Sequence, residues 1–187
     1  MGFDTHRAIN HDRNNAANHR NIKVYLSLGS NMGDGCRNLE TALRALGLAE
    51  DIQLEAVSDF YRTEPVGIES NPVFTNCAVE ITTPLAPLEL LDRLEDMELY
   101  FGRNSKNLKS PRTLDMDILL YGDLIVSLTR LVIPHREMAR RRFVLEPLAQ
   151  IAPNVIHPVL KKTPPQLSKE LEGQKVFRIL SEKIGNA

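Results

Sequence analysis

A short apolar run near the middle of the chain, Leu114–Leu120, constrains the fold more than any other segment. It is short enough to form a β-strand. Asp115 and Asp117 lie one residue apart within this run. Side chains at positions i and i+2 of a strand share one face and are roughly 7 Å apart along the backbone. Both carboxylates should therefore point the same way, and the apolar residues that alternate with them should point the other way.

Two carboxylates on one face repel each other unless a proton or a cation lies between them. Mg²⁺ suits such a pair because it takes one or two carboxylates and completes its shell with phosphate oxygens and water. A basic segment precedes the pair and would complement the phosphates of a metal–polyphosphate ligand; it contains Arg103, Lys106, Lys109 and Arg112. Most Asp-x-Asp pairs do not bind metal, so the residues alone indicate metal-assisted phosphate chemistry without deciding it.

The hydrophobic periodicity predicts an α+β fold. The predicted elements are strand Lys23–Leu28, a helix with its apolar face over Leu39–Leu46, strand Ile52–Tyr61, strand Val73–Thr82, helix Leu88–Phe101 and strand Leu114–Tyr121. This order predicts a ferredoxin-like sandwich, in which helices pack on a mainly antiparallel sheet. The turn Gly122–Asp123 predicts an extra hairpin that pairs Leu114–Tyr121 with Leu124–Val126, and short helices should follow it.

We expect one domain over residues 22–160, with a polar, disordered extension at residues 1–21 and a surface helix or two over residues 161–187. The formal net charge of −1 argues against a general nucleic-acid binder. No apolar run is long enough for a membrane span. Cys36 and Cys77 fit neither a zinc site nor a disulfide framework, which favours a reducing compartment and a cytoplasmic protein.

Two further positions carry polar chemistry in apolar surroundings. Asn76 lies within a predicted strand and needs hydrogen-bond partners from the protein or from a ligand. Phe74 shares its face, and an aromatic ring beside an amide suits a flat heterocycle; a structural asparagine is the alternative.

A second polar cluster follows residue 134. His135 precedes four arginines, which either cover a solvated helix face or bind phosphates through their guanidinium groups; they are Arg136, Arg140, Arg141 and Arg142.

The segment Lys109–Leu120, KSPRTLDMDILL, resembles the signature of the 6-hydroxymethyl-7,8-dihydropterin pyrophosphokinase family. The segments YLSLGSN, YRT, FTN, IPH and RFVLEPL also resemble this family, and the resemblance covers roughly residues 23–158. It implies the same α+β fold and the transfer of a diphosphate from ATP to the pterin hydroxymethyl group in folate biosynthesis. We expect a monomer that acts on these small molecules and has neither nucleic acid nor membrane as a partner.

The resemblance also implies roles for particular residues. The catalytic residues would be Arg103, Arg112, Asp115 and Asp117, with two Mg²⁺ ions on the two aspartates. The ATP site would comprise Glu98, Arg112, Ile118, Arg130, His135 and Arg141. The pterin site would comprise Thr63, Val66, Phe74, Asn76, Asp115 and Phe143. The family often has an aromatic residue just before the Pro-Arg pair, where this chain has Lys109 and Ser110.

Two other classes of protein fit parts of the pattern. Ferredoxin-like sheets also bind RNA, but they do so through exposed aromatics on the central strands, and the sequence shows no such pattern. A phosphohydrolase or a sugar-nucleotide transferase could also use an Asp-x-Asp pair. Such an enzyme would release inorganic phosphate or turn over ATP without pterin.

Overall fold

The computed structural model of the protein describes residues 21–63, 73–102, 113–173 and 175–179. Three predicted site residues, Val66, Arg103 and Arg112, lie outside these ranges, as do residues 1–20 of the predicted extension over residues 1–21. Their roles stay predictions.

Eight strands occur in the described part of the chain. They are β1 Ile22–Ser30, β2 Gln53–Val57, β3 Phe60–Thr63, β4 Phe74–Thr83, β5 Asp115–Tyr121, β6 Val126–Ser127, β7 Val132–Ile133 and β8 Val176–Ile179. Six of them form an antiparallel sheet in the order β5-β1-β4-β3-β8, with β2 also paired to β4. The position of β1 between β5 and β4 is that of the ferredoxin-like fold, so the predicted fold class is confirmed.

Two helices, α1 Gly35–Gly47 and α2 Pro87–Tyr100, pack on one face of this sheet. The first begins where the Asp34 carboxylate accepts a hydrogen bond from the Arg37 amide at 3.1 Å, which satisfies one of the unpaired amides of the first turn. The apolar face of α1 is buried as its spacing predicted, through Leu39, Ala42, Leu43 and Leu46. Together these helices and the sheet enclose the larger hydrophobic core.

The opposite face of the sheet is covered by α3 Arg142–Ile151, with a 3₁₀ turn at Met138–Arg140 before it and α4 Pro164–Lys169 after it. A bulge in β5 helps to form this second core. Leu26 pairs with Ile118 and Tyr25 pairs with Leu120, so Leu119 has no partner in β1. The side-chain alternation is interrupted there, and two consecutive leucines reach the second core.

The predicted hairpin between β5 and Leu124–Val126 is wrong. The chain does turn at Gly122, but β6 pairs with β7 in a separate two-stranded sheet. The outer edge of β5 already has other partners: the Glu98 carboxylate accepts a hydrogen bond from the Met116 amide at 2.6 Å, and the His135 amide donates to the Leu119 carbonyl at 2.9 Å. These groups occupy the edge that a hairpin partner would need.

Two other elements differ from the sequence prediction. The predicted strand Ile52–Tyr61 is broken into β2 and β3 at Ser58, whose hydroxyl accepts a hydrogen bond from the Ala78 amide at 2.9 Å. The segment after residue 160 contains the helix α4 but also the strand β8, which pairs with β3 at the edge of the sheet. Four residues are too few for periodicity to distinguish a strand from a helix. None of the described helices is long and apolar enough to cross a membrane.

Candidate functional site

The two aspartates of β5 lie on the same face of the sheet, as their spacing predicted. Asp115 pairs with Gly29 and Asp117 pairs with Ser27 on the neighbouring strand β1. The residue between them, Met116, is buried in the larger core on the opposite face. The aspartates are only partly buried, and the Asp117 side chain retains 37% of its accessible surface. The pair can therefore contact a ligand above the sheet.

His135 lies beside this pair. Its Nε2 is 3.8 Å from Asp117 Oδ2, and its backbone amide is bonded to the Leu119 carbonyl of β5. The Glu137 amide donates to His135 Nδ1 at 3.2 Å, so the proton of the neutral ring belongs on Nε2. Burial lowers the pKa of His135, the Asp117 carboxylate opposes this change, and Arg141 adds to it. A neutral His135 presents an N–H donor towards Asp117 and any anion bound there.

A row of four paired residues crosses the sheet and ends at Asp115. Tyr61 pairs with Asn76, Asn76 pairs with Gly29, and Gly29 pairs with Asp115. A β-carbon added to Gly29 would lie 2.9 Å from Asn76 Oδ1, closer than normal packing allows. Because Gly29 has no side chain, the Asn76 amide oxygen can lie over it, and we call the stretch of this face between Asn76 and Asp115 the slot. A flat ligand in this slot would reach both the amide and the carboxylate.

The Asn76 side chain is the strongest sign of a ligand in the slot. The residue is 3% exposed, and its Nδ2 has no hydrogen-bond partner within the described ranges. A buried amide without a partner costs about 1–3 kcal/mol. Native proteins rarely leave such a group unsatisfied. The amide is therefore poised to donate to an acceptor that a ligand brings.

Three further residues of the predicted pterin site lie on the same face of the sheet. Thr63 and Phe74 are directly opposite each other on β3 and β4, one step beyond the row that contains Tyr61 and Asn76. Phe74 is 38% exposed. Phe143, in the first turn of α3, packs against the second core, and the Arg141 guanidinium carbon lies 5.8 Å from its ring centre. The structure thus offers exposed aromatic surface near a polar slot.

The structure does not place every predicted ATP-site side chain on this face. Ile118 is buried in the larger core on the opposite face, so a contact with nucleotide would have to use its backbone. Arg130 donates to Asp92 at 2.6 Å and to Glu95 at 3.0 Å, both on α2. Glu98 is 2% exposed and binds the edge of β5.

Gly29 and Tyr61 were missed as site residues by the sequence analysis. Both lie in segments that resemble the family, YLSLGSN and YRT. Gly29 looked like part of a tight turn because Gly33 and Gly35 follow it, and Tyr61 is the last residue of the predicted strand Ile52–Tyr61. Gly29 and Tyr61 belong to the site because both pair with Asn76 across the sheet, and Gly29 also pairs with Asp115. Such partners depend on the register between strands that are far apart in sequence.

The oxygen ligands of the site suit a metal ion that is bound by the protein from one side and by oxygens of a substrate from the other. Among the described residues, no group of three or more His, Cys, Asp or Glu side chains could hold a metal ion. Asp115 and Asp117 supply hard oxygen ligands from one side only. Mg²⁺ fits this arrangement because it retains water and binds phosphate oxygens in addition to one or two carboxylates.

The sequence model of one protein family, 7,8-dihydro-6-hydroxymethylpterin-pyrophosphokinase (HPPK), matches residues 25–153. The chain belongs to the HPPK family. The matched region runs from β1 to just past the end of α3 and includes every described residue of the slot and of the carboxylate pair. The predicted family is therefore confirmed.

The chain is similar to two curated relatives that differ in the share of their length that it covers. The 2-amino-4-hydroxy-6-hydroxymethyldihydropteridine pyrophosphokinase of Pseudomonas aeruginosa is 43% identical over 133 residues, which are 71% of this chain and 82% of the relative. The bifunctional protein FolKE of Lactococcus lactis subsp. cremoris is 43% identical over 131 residues, 70% of this chain. The chain spans only 38% of the length of that bifunctional relative.

A solved structure of wild-type HPPK-DHPS from Plasmodium falciparum shares the fold. The TM-score is 0.66 at 17% sequence identity, over 80% of this chain and 44% of the other. At this low identity the likeness concerns the fold alone.

Proposed function

We propose that the protein transfers diphosphate from ATP to the hydroxymethyl group of 6-hydroxymethyl-7,8-dihydropterin, in folate biosynthesis. The observation that carries this proposal is the slot, where Asn76 lies in one cross-strand row with Asp115 and its Nδ2 has no partner among the residues that the structure describes. Membership of the HPPK family supports it, as does the name of the Pseudomonas aeruginosa relative.

In this proposal the pterin ring lies in the slot above Gly29. Asn76 donates from Nδ2 to an acceptor on the pterin edge and accepts through Oδ1, which satisfies its buried amide. Phe74 and Phe143 provide aromatic surface for the ring faces, and aromatic pairs favour offset or edge-on contact. Thr63, together with Val66 outside the described ranges, completes the pterin site. The hydroxymethyl group then points along the row towards Asp115.

Phosphate chemistry takes place at the carboxylate pair. Asp115 and Asp117 would hold two Mg²⁺ ions, which when bound neutralise the polyphosphate and lower the pKa of the attacking hydroxyl. The pterin hydroxyl oxygen forms a bond to the β-phosphorus of ATP. The bond from that phosphorus to the bridging oxygen of the α-phosphate breaks, and AMP leaves with the electron pair. Asp115 belongs both to the carboxylate pair and to the row that contains Asn76, and it is the candidate acceptor for the hydroxyl proton.

The surrounding side chains orient the nucleotide. Neutral His135 donates from Nε2 to a phosphate oxygen, and Arg141 binds phosphate from the start of α3. Arg103 and Arg112 neutralise charge on the transferred group, since guanidinium groups bind phosphate oxygens in pairs. The family resemblance also implies ATP contacts for Ile118 and Arg130. It implies one for Glu98 as well, but that carboxylate is buried and bonds the backbone of β5 instead.

The test is an assay of AMP formation with ATP and the pterin, with and without Mg²⁺. We expect AMP only when both substrates and the metal are present, and the Asp117→Asn variant should lose turnover far more than pterin binding. Equal loss of turnover and pterin binding would count against the role of Asp117. Release of inorganic phosphate, or ATP turnover without pterin, would indicate one of the other metal enzymes. A cytoplasmic monomer that binds neither nucleic acid nor membrane stays a prediction.

A further inference from the structure

The Glu98 carboxylate is buried beneath the strand that carries the two aspartates. It lies near the end of α2 and is 2% exposed. Its Oε1 accepts a hydrogen bond from the backbone amide of Met116 at 2.6 Å. Met116 is the residue between Asp115 and Asp117, so the carboxylate holds the backbone at the midpoint of the pair.

The position of β5 in the sheet explains why this bond matters. Among the strands that the structure describes, β5 is at the edge of the sheet and pairs with β1 on one side only. Asp115 and Asp117 are in register with Gly29 and Ser27 on that side. In an antiparallel pair, successive residues direct their backbone groups alternately towards the partner strand and away from it. The amide of Met116 points away from β1, and Glu98 provides the acceptor that a further strand would otherwise supply.

The charge of the Glu98 carboxylate makes it a strong hydrogen-bond acceptor for the Met116 amide. A hydrogen bond between a carboxylate and a backbone amide is shorter and roughly twice as strong as one between neutral groups. Removing the acceptor would leave the Met116 amide unsatisfied inside the protein, which destabilises that conformation of the strand. A misplacement of about 1 Å in a catalytic group can reduce the rate of reaction by roughly 100-fold.

We propose that Glu98 is a positioning residue, which holds Met116 so that Asp115 and Asp117 keep the spacing that a divalent cation and a polyphosphate require. This role differs from the direct ATP contact that the family resemblance implies for Glu98. The inference rests on the proposed function for its catalytic consequence. Its structural part, the anchoring of the Met116 amide, can be measured without any substrate.

The experiment compares Glu98→Ala with Glu98→Gln, because glutamine keeps a carbonyl oxygen that can accept the Met116 hydrogen bond. Three quantities are measured: hydrogen exchange at the Met116 amide by NMR, Mn²⁺ binding by electron paramagnetic resonance, and the Mg²⁺ dependence of AMP formation. In Glu98→Ala we expect faster exchange at Met116, weaker Mn²⁺ binding and a fall in kcat of about tenfold or more, with the pterin KM nearly unchanged. Glu98→Gln should remain within about threefold of the wild type in all three.

Leu94→Ala is the matched control for lost stability. Leu94 lies one turn earlier on α2, is 1% exposed and belongs to the larger core. Its truncation should lower the melting temperature without changing Mn²⁺ binding or the Mg²⁺ dependence. The same shifts in Leu94→Ala would overturn the proposal, because they would reflect general destabilisation of the helix.

Other outcomes distinguish the inference from the proposed function. If Glu98→Gln is as impaired as Glu98→Ala, the charge itself is needed at the ligand and the positioning role is wrong. Unchanged Met116 exchange in Glu98→Ala would also refute it. If the wild-type protein forms no AMP, the proposed function fails, while the exchange and Mn²⁺ measurements still decide whether Glu98 anchors the strand.

Discussion

Replacing Asn76 with leucine should make the protein more stable without ligand and a poorer catalyst with it. Asn76 is buried in β4, and its Nδ2 has no hydrogen-bond partner within the described ranges. Leucine has the same number of side-chain heavy atoms as asparagine and a similar branched shape, with no polar atoms. The substitution therefore removes an unsatisfied donor without creating a cavity.

The sizes of both effects follow from the same amide. An unsatisfied buried donor costs about 1–3 kcal/mol, so its removal should stabilise the ligand-free protein by about 1 kcal/mol. For a chain of this length that is a rise in melting temperature of about 2–4 °C. In the complex, the pterin loses its partner at Asn76 and leaves its own polar edge unpaired, at a similar cost of about 1–3 kcal/mol. Because each 1.4 kcal/mol is about tenfold in affinity, the pterin KM should rise by roughly 5- to 150-fold.

Thermal unfolding without substrate and steady-state kinetics with varied pterin measure the two effects. Asn38→Leu is the matched control, since Asn38 donates from Nδ2 to Ser30 Oγ at 3.0 Å and to the Met32 carbonyl at 2.7 Å. The same substitution should there lower the melting temperature and leave the pterin KM unchanged. A destabilised Asn76→Leu protein with normal pterin affinity would refute the reasoning, because it would show that the amide is satisfied by the protein itself.

Three further predictions test other parts of the molecule. Gly29→Ala should raise the pterin KM by about tenfold or more and leave the protein folded, because the new β-carbon would force Asn76 out of place; pterin titration and circular dichroism check this. Asp115→Asn should abolish Mg²⁺-dependent AMP formation and weaken pterin binding far less than turnover, which equilibrium binding can show. Burial lowers the pKa of His157 from its usual 6.5, and its Nδ1 accepts from the Val159 and Leu160 amides. The unfolded chain therefore gains the proton first, so stability should fall as the pH drops below about 6.5, and His157→Leu should show less of this loss in melting curves at pH 7.5 and 5.5.

The carboxylate pair and its strand could be predicted from the sequence because they depend on neighbours along the chain. Alternation over seven residues places Asp115 and Asp117 on one face, and the structure has them there. The apolar face of α1 was predicted for the same reason. The order of strands and helices was sufficient for the ferredoxin-like arrangement, because few topologies accommodate that order.

The predictions that were wrong concern contacts between distant segments. Gly122–Asp123 is a reasonable hairpin turn, but the edge of β5 is occupied by Glu98 and His135, which lie 18 and 16 residues away from their partners Met116 and Leu119. The strand β8 forms only because β3 offers it an open edge. A local sequence pattern does not indicate that the edge of β5 is occupied or that the edge of β3 is open.

The sequence by itself determined the family, the strand with its two aspartates and the chemistry to which those residues are suited. Only the tertiary structure decided that Gly29 leaves room for the Asn76 amide between β4 and Asp115, and that Asn76 Nδ2 has no hydrogen-bond partner within the described ranges. It likewise decided that Glu98 anchors β5. The physical reason is that a residue's face within one strand follows from local geometry, whereas its cross-strand neighbours follow from a register set by the packing of the whole sheet.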